Sequence, residues 1–385
     1  PSIVVSSISC RPLMTTPLVA VVVLNWNGWR DTIECLESLR RQAHARCRII
    51  VVDNGSTDGS PEKIKAWADG EIAVTGRHLP ALPVKREPIG LVEYDAAQAE
   101  RGGTPEGEEL IDSSAHAKGF VLIRSGENLG FAGGNNLAMR YALAHDPDFI
   151  WILNNDTSVL PDTLEKLVDF LTTNLDYVAV TGQTRYYDDP DRTWNCGGQL
   201  TWYGTRRYEY VNTPVSAVPQ TGSRRITYMT GCAPLFRTRT LRDVGLLPTR
   251  FFFGEEDFEL SHRLKSMGHA MACRFDALIF HKVGASVDQT PREASLGMAY
   301  VYYLNRFINL RGRWPAPIWH LWRMIYFPYI IFLARKGSRT SIDELFRFAV
   351  SLLRESSSRS GVDRKTFETI LKYGYIPDSR KLNRR

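Results

Sequence analysis

The 385-residue chain has six cysteines, Cys10, Cys35, Cys47, Cys196, Cys232 and Cys273, with no C-x-x-C pair and no zinc-binding spacing. That scatter predicts reduced thiols in a cytosolic compartment rather than a disulfide framework or a structural zinc site. Neither G-x-G-x-x-G nor a P-loop occurs, which argues against a nicotinamide dehydrogenase and an NTPase. A nucleic-acid-binding motif is lacking too, and the net charge of +6 is mild for this length, with the basic excess falling late in the chain. A phosphorylated substrate or an anionic membrane surface fits such a charge better than nucleic acid. The first residues lack a basic stretch followed by a long apolar core, so no signal peptide is expected. The most apolar late segment, Ile318 to Leu333, is short and interrupted by His320, Arg323 and Pro328, which disfavours a transmembrane helix.

What is present reads as a globular α/β chain of two or three domains, or of a single enlarged α/β domain with a tail, with 43% hydrophobic residues. Leu18 to Leu24 and Arg48 to Val52 are β-branched strands, closed by Asn25-Trp26-Asn27-Gly28 and by Asp53-Asn54-Gly55-Ser56-Thr57-Asp58-Gly59. Each is followed by a helix, so two β-turn-α units in succession predict a parallel, right-handed, Rossmann-like sheet. From Thr75 to Lys118 the periodicity breaks down, which predicts an inserted loop. Phe120 to Ile123 restores a strand. Asn128 to Asn136 is a glycine-rich turn into a helix, where Gly130, Gly133 and Gly134 permit close backbone approach to a phosphate or ribose and tight packing.

Phe149 to Leu153 is a strand buried on both faces that ends in Asn154-Asn155-Asp156. Open α/β sheets bind ligands at the carboxyl ends of their strands, so Asp156 is read as a ligand for a hard cation that holds a nucleotide diphosphate. The competing reading is a helix cap. By the same placement Asp53 and Asn25 are assigned to a base imide or a ribose hydroxyl, against the alternative of a plain turn.

Phe251-Phe252-Phe253 leads into Glu255-Glu256-Asp257 and a helix that stops at Gly268. Three acids there suit a helix N-terminus, and equally supply a carboxylate base for deprotonating a hydroxyl. Ala277 to Phe280 is a strand ending in His281. Trp194, Trp202 and Tyr203 lie in an aromatic stretch suited to stacking on a sugar ring or to packing.

Together, Leu24 to Gly28, Val52 to Ser60, Asn128 to Asn136 and Asn154-Asn155-Asp156 resemble the signatures of family 2 glycosyltransferases, with the rhamnosyltransferase-like branch the nearest. The resemblance covers roughly residues 18 to 285, with the insertion outside it. It implies a GT-A fold, a Rossmann-like mostly parallel sheet flanked by helices and carrying a C-terminal helical extension. It also implies a nucleoside-diphosphate sugar donor linked to dTDP or UDP, Mg2+ or Mn2+, and an inverting mechanism.

Carried onto this chain, the resemblance makes Asn25, Asp53, Asn128, Gly130, Asn155 and Asp156 donor-binding, and Asp257 the base with Glu256 orienting the acceptor. His281 joins Asp156 on the metal, and Gly231 to Pro234 line the sugar pocket. The family's metal motif is D-x-D, whereas here Asn154 takes its first place and leaves Asp156 the only charge. Residues 18 to 183 are then the nucleotide-sugar half, 184 to 290 the acceptor and catalytic half, and 291 to 385 a helical region.

The implied acceptor is a saccharide or a lipid-linked saccharide in surface polysaccharide synthesis. The segment 314 to 336, rich in Trp and Tyr and flanked by Arg313, Arg335, Lys336 and Arg339, reads either as an interfacial helix on the cytoplasmic face of a membrane or as a homodimer interface. A catalytically silent nucleotide- or saccharide-binding module is the main alternative. A sugar-nucleotide pyrophosphorylase would need a glycine- and basic-rich N-terminal loop, which Asn25 to Gly28 is not.

Overall fold

The computed structural model describes residues 16–79, 88–113, 118–283, 292–337 and 341–377. The expectations for the first residues, for Arg339 and for the end of the tail lie outside them.

The chain opens with β1 (Val19–Asn25), α1 (Trp29–Arg40), β2 (Cys47–Asp53) and α2 (Ser60–Ala68). Next come β3 (Leu91–Asp95), α3 (Ala96–Glu100), α4 (Pro105–Ser113), β4 (Lys118–Arg124), α5 (Gly130–Ala144), β5 (Phe149–Asn154), β6 (Thr157–Val159), α6 (Thr163–Thr173) and β7 (Tyr177–Tyr186). The middle is built of short strands, β8 (Arg192–Asn195), β9 (Gly198–Leu200), β10 (Arg206–Tyr208), β11 (Thr213–Pro214), β12 (Ser223–Ile226) and β13 (Leu235–Arg237). Then follow α7 (Thr238–Val244), α8 (Glu256–Ser266), β14 (Ala270–His281), α9 (Arg292–Arg311), α10 (Ala316–Gly337), α11 (Ile342–Ser358) and α12 (Arg364–Tyr373).

One sheet runs in the order β11-β8-β7-β13-β5-β1-β2-β4-β3, with β14 beside β7 and carrying β6 and β12. The β3-β4-β2-β1-β5 side is parallel throughout, as the β-turn-α repeats require. Alternation along β1 sends Val19, Val21 and Val23 to one apolar layer, shared with Leu36 of α1 and Leu167 of α6. Ala20 and Val22 face the other layer, with Leu137 of α5 and Leu260 of α8. Burial on both faces explains why these strands read as continuous apolar runs. A third core joins Tyr300, Leu304 and Phe307 of α9 to Phe251, Phe258 and Tyr228, so the C-terminal helices pack directly on the segment that leads into α8.

The stretch from Thr75 to Lys118 is not the structureless loop its weak periodicity suggested. Its described part holds β3, which pairs in parallel with β4 at the sheet edge, and two short helices. The signal was local and small: a five-residue edge strand has one face to bury, and α3 starts from a capping box between Asp95 and Gln98. The polar stretch after Arg359 contains α12, started by the Asp363 side chain on the Thr366 amide and closed by left-handed Gly374.

Candidate functional site

Parallel register brings the expected residues to one edge. Asn25 pairs with Asp53 across β1 and β2, and Leu24 with Asn154 across β1 and β5, so three carboxyl-terminal strand ends lie side by side. Asn25 is fully buried and its amide is committed. Its Nδ2 donates to Asp53 Oδ1 (2.9 Å) and Ser56 Oγ (3.1 Å), and its Oδ1 accepts from Thr32 Oγ1 (2.7 Å). It therefore aims Asp53, whose Oδ2 also accepts from the Ser56 amide (3.1 Å). Asn155 Nδ2 donates to the same Thr32 hydroxyl (3.0 Å), tying the β5 loop to α1.

Asn128 is a turn-builder. Its Oδ1 accepts from Asn54 Nδ2 (3.0 Å) and the Gly130 amide (2.9 Å), while Asn54 Oδ1 accepts from the Leu129 amide (3.0 Å). The close approach that Gly130 allows is to another loop. With φ 74°, its hypothetical Cβ would lie 2.2 Å from the Phe252 carbonyl oxygen, which accepts from the Phe131 amide (3.1 Å). The glycine turn thus seats the loop that precedes Asp257.

Asp156 and His281 come together because β6 pairs antiparallel with β14, His281 opposite Thr157. His281 Nε2 lies 3.0 Å from Asp156 Oδ1, at ion-pair distance but without the alignment of a hydrogen bond; Oδ1 and His281 Nδ1 are buried with no hydrogen-bond partner among the described residues. Burial opposes the Asp156 charge, yet His281 outweighs it and holds the carboxyl below its ordinary range. Burial likewise opposes an imidazolium, while Cys232 and Asp156 beside the ring push His281 above its ordinary value. The Trp194 ring stands edge-on to His281 at 4.6 Å. Without a cation the two are a charged contact; once the imidazole gives up its Nε2 proton, the carboxylate oxygen and the ring nitrogen make a donor set that fits Mg2+ or Mn2+. Among the described residues no group of three or more metal-ligating side chains is assembled, so a cation here would complete its shell from ligand and water oxygens.

Asp257, in the first turn of α8, has a side chain 19% exposed. Tyr228 Oη donates to its Oδ2 (2.6 Å), the Phe258 amide to its Oδ1 (2.7 Å), and the Gly231 amide approaches Oδ2 at 3.4 Å. Phe131 from the glycine turn lies against Gly231, so that turn and the Gly231 segment meet beside this carboxylate. Glu256 is buried with an unpartnered Oε2, and burial followed by the charge of Asp257 raises its pKa to about 8. A carboxyl raised that far favours its protonated form at neutral pH, in which it donates a hydrogen bond.

Sequence reading missed Tyr228, Arg206, Glu255 and Arg306. Glu255 was only one of three acids, yet its carboxylate is held by Arg206 Nη1 and Arg306 Nη2, both at 2.8 Å. Removing one member of so buried a set costs ~3–5 kcal/mol. Its partners lie 49 and 51 residues away, beyond any local signal; the one hint was an arginine amid the apolar Leu304, Phe307 and Ile308.

A family model described as glycosyl transferase family 2 matches residues 20–81 and 102–244, just over half of the chain. Galactofuranosyltransferase GlfT1 of Mycobacterium tuberculosis, found in two strains, is 26% identical over 166 residues, covering 43% of this chain and 53% of that protein. The chain thus spans about half the length of the curated relatives it matches. The solved mannosyltransferase PcManGT from Pyrobaculum calidifontis, in complex with GDP-Man and Mn2+, is similar at 17% identity with a TM-score of 0.49, covering 94% of this chain and 86% of that one.

Proposed function

The chain belongs to glycosyl transferase family 2, and from that premise we propose that it moves a sugar from a nucleoside diphosphate to a hydroxyl of a saccharide or lipid-linked saccharide, with inversion. The observation that carries this is Asp257: a part-exposed carboxylate fixed through both oxygens, beside the glycine turn of the donor half. Asp257 takes the acceptor hydroxyl proton as that oxygen attacks the anomeric carbon opposite the leaving diphosphate. Protonated Glu256 donates a hydrogen bond that orients the acceptor. Asp53 receives a hydrogen bond from the base or ribose, with Asn25 and Ser56 setting its direction, and the Asn128 to Gly130 turn approaches the donor. Asp156 and His281 would hold Mg2+ or Mn2+, which when bound would neutralise charge growing on the departing diphosphate.

Rhamnose linked to dTDP is the first donor on this reading. The galactofuranosyltransferase relative favours adding a UDP-linked galactofuranosyl donor as the second. Among the described residues no helix is long and apolar enough to cross a membrane. Exposed Ile318, Leu321, Ile325 and Phe332 on α10, with Ile342 and Phe346 on α11, support contact with a lipid surface that presents the acceptor. The deciding experiment is calorimetric titration of dTDP, UDP, GDP and ADP with manganese and with chelator, followed by sugar transfer with wild type and Asp257→Asn. Metal-dependent binding of one pyrimidine diphosphate, and transfer lost in Asp257→Asn without loss of that binding, is the expected result. Binding without any transfer would leave the silent binding module as the better reading.

A further inference from the structure

Glu255 directly precedes α8, the helix that carries Asp257, and stands in the left-handed region at φ 73°, where a glutamate is uncommon. Something outside the loop has to hold it there. Its side chain is fully buried, and Arg306 of α9 takes both carboxylate oxygens, Nη2 on Oε1 at 2.8 Å and Nε on Oε2. The same helix holds the loop backbone: Asn305 Nδ2 donates to the carbonyls of Phe253 and Gly254, at 3.0 Å each. Arg306 Nη1 also donates to the Gly204 carbonyl at 3.1 Å, which joins the loop to the turn between β9 and β10. From that hairpin Arg206 reaches back, its Nη1 2.8 Å from Glu255 Oε1 and 4.0 Å from Asp257 Oδ1, while its guanidinium lies over the Tyr228 ring.

Burying two arginines and a carboxylate is a poor route to stability, since desolvation cancels most of the attraction. It is an effective way to fix direction, because the planar guanidinium fork accepts few geometries. We propose that Arg206 and Arg306 are positioning residues for the transfer. Arg306 locks Glu255 and the hairpin turn in one arrangement, and Arg206, held by Glu255, sets how the Asp257 carboxylate faces the acceptor hydroxyl. The role rests on the reading of Asp257 as the base, and it makes α9 a working part of the catalytic site.

The test uses the full chain as Arg206→Lys, Arg306→Lys and the double variant Glu255→Gln with Arg306→Gln. The double variant keeps hydrogen-bonding groups while removing the Glu255–Arg306 charge pair and leaving Arg206 charged, in case Arg306→Lys does not fold. Nucleoside diphosphate release is followed from dTDP-rhamnose and a UDP-galactofuranosyl donor, with dTDP and UDP affinity measured in manganese and hydrogen exchange mapped along the chain. The expected result is a kcat lower by roughly 10- to 100-fold, with nucleotide affinity within about twofold of wild type and faster exchange confined to residues 251–258 and 200–208. Folded variants with wild-type kcat would overturn the role, as would exchange that accelerates equally in β1, β2 and β5. A wild type inert on both donors, or an Asp257→Asn as active as wild type, removes the transferase reading and the positioning role with it. An active wild type, an inert Asp257→Asn and unaffected arginine variants remove the positioning role alone.

Discussion

Tyr228 donates its hydroxyl hydrogen to Asp257 Oδ2 across 2.6 Å, from a ring that is itself fully buried between β12 and the C-terminal core. Burial, and then the Asp257 charge, push the phenol well above its ordinary range, so it stays a donor throughout the working pH range. With the Phe258 amide on Oδ1, each oxygen keeps a lone pair in a set direction. On the proposed reading of Asp257 as the base, this fixes the direction in which its carboxylate meets the acceptor hydroxyl.

Tyr228→Phe removes one hydrogen bond to a charged group while keeping the ring, a loss of about 1.5–3 kcal/mol in such contacts. The expected outcome is a kcat lower by roughly tenfold or more, with the affinity for the nucleoside diphosphate unchanged. Steady-state kinetics beside calorimetry separates the two, and equal losses in both would show that the phenol serves the donor site instead.

Asp156→Asn and His281→Ala each remove one of the two side chains that face each other at 3.0 Å. Nucleotide binding in manganese should weaken by about tenfold or more, equal to ~1.4 kcal/mol, while binding in chelator stays at the wild-type level. Calorimetry in both buffers decides it. If chelator leaves wild-type binding untouched, the pair is only a buried ion pair.

How much of this was legible in the sequence depended on how far apart the cooperating residues lie. β1, β2 and β5 end in Asn25, Asp53 and Asn154, and a run of buried residues capped by polar ones announces such a strand end by itself. The partnership of Asp156 with His281 needed the β6 to β14 pairing, which no local pattern states; the family resemblance supplied it. Glu255 could not be separated from Glu256 and Asp257 by chemistry, because what distinguishes it is Arg306 and a left-handed backbone. β3 stayed hidden because an edge strand of five residues has too little to bury.

Glu256 gives a pH signature. Its pKa is raised from 4.5 to about 8 in the folded chain, first by burial and then by Asp257. Below pH 4.5 both states hold the proton and the group is neutral to stability. Between there and about pH 8 the unfolded chain releases the proton while the folded one keeps it, so this residue costs stability as pH rises, by at most ~1.4 kcal/mol per pH unit. Glu256→Gln removes that slope. The melting temperature of the variant relative to wild type should climb from pH 5 to pH 8, and a difference flat across that range would show that Glu256 is ionised in the fold.

The apolar faces of α10 and α11 give a binding prediction. Leu321 and Ile325 are 64% and 70% exposed on α10, and Phe346 is 69% exposed on α11, with the exposed Arg335 nearby in sequence. Sedimentation with vesicles should show binding that strengthens with anionic lipid and weakens with salt. The double variant Leu321→Glu with Ile325→Glu should lose it and keep nucleotide affinity. A wild type that ignores vesicles and sediments as a dimer, which the variant converts to monomer, would assign the face to a second copy.

Gly130 and Gly126 allow packing to be separated from backbone strain. Both sit at positive φ, 74° and 80°, so Ala at either position carries the left-handed penalty of about 1 kcal/mol. A Cβ on Gly126 would meet nothing within 4 Å, whereas one on Gly130 would strike the Phe252 carbonyl at 2.2 Å. That oxygen accepts from the Phe131 amide and belongs to the loop leading to Asp257, so the clash can be relieved only by moving that loop or the glycine turn. Gly126→Ala should therefore lower stability slightly and leave kcat alone. Gly130→Ala should cost roughly 1–3 kcal/mol more, as overpacking does, and lower kcat beyond what unfolding explains. Thermal melts with kinetics well below the melting temperature would show it, and equal behaviour of the two variants would mean that the glycine turn and the loop before Asp257 are not packed against each other.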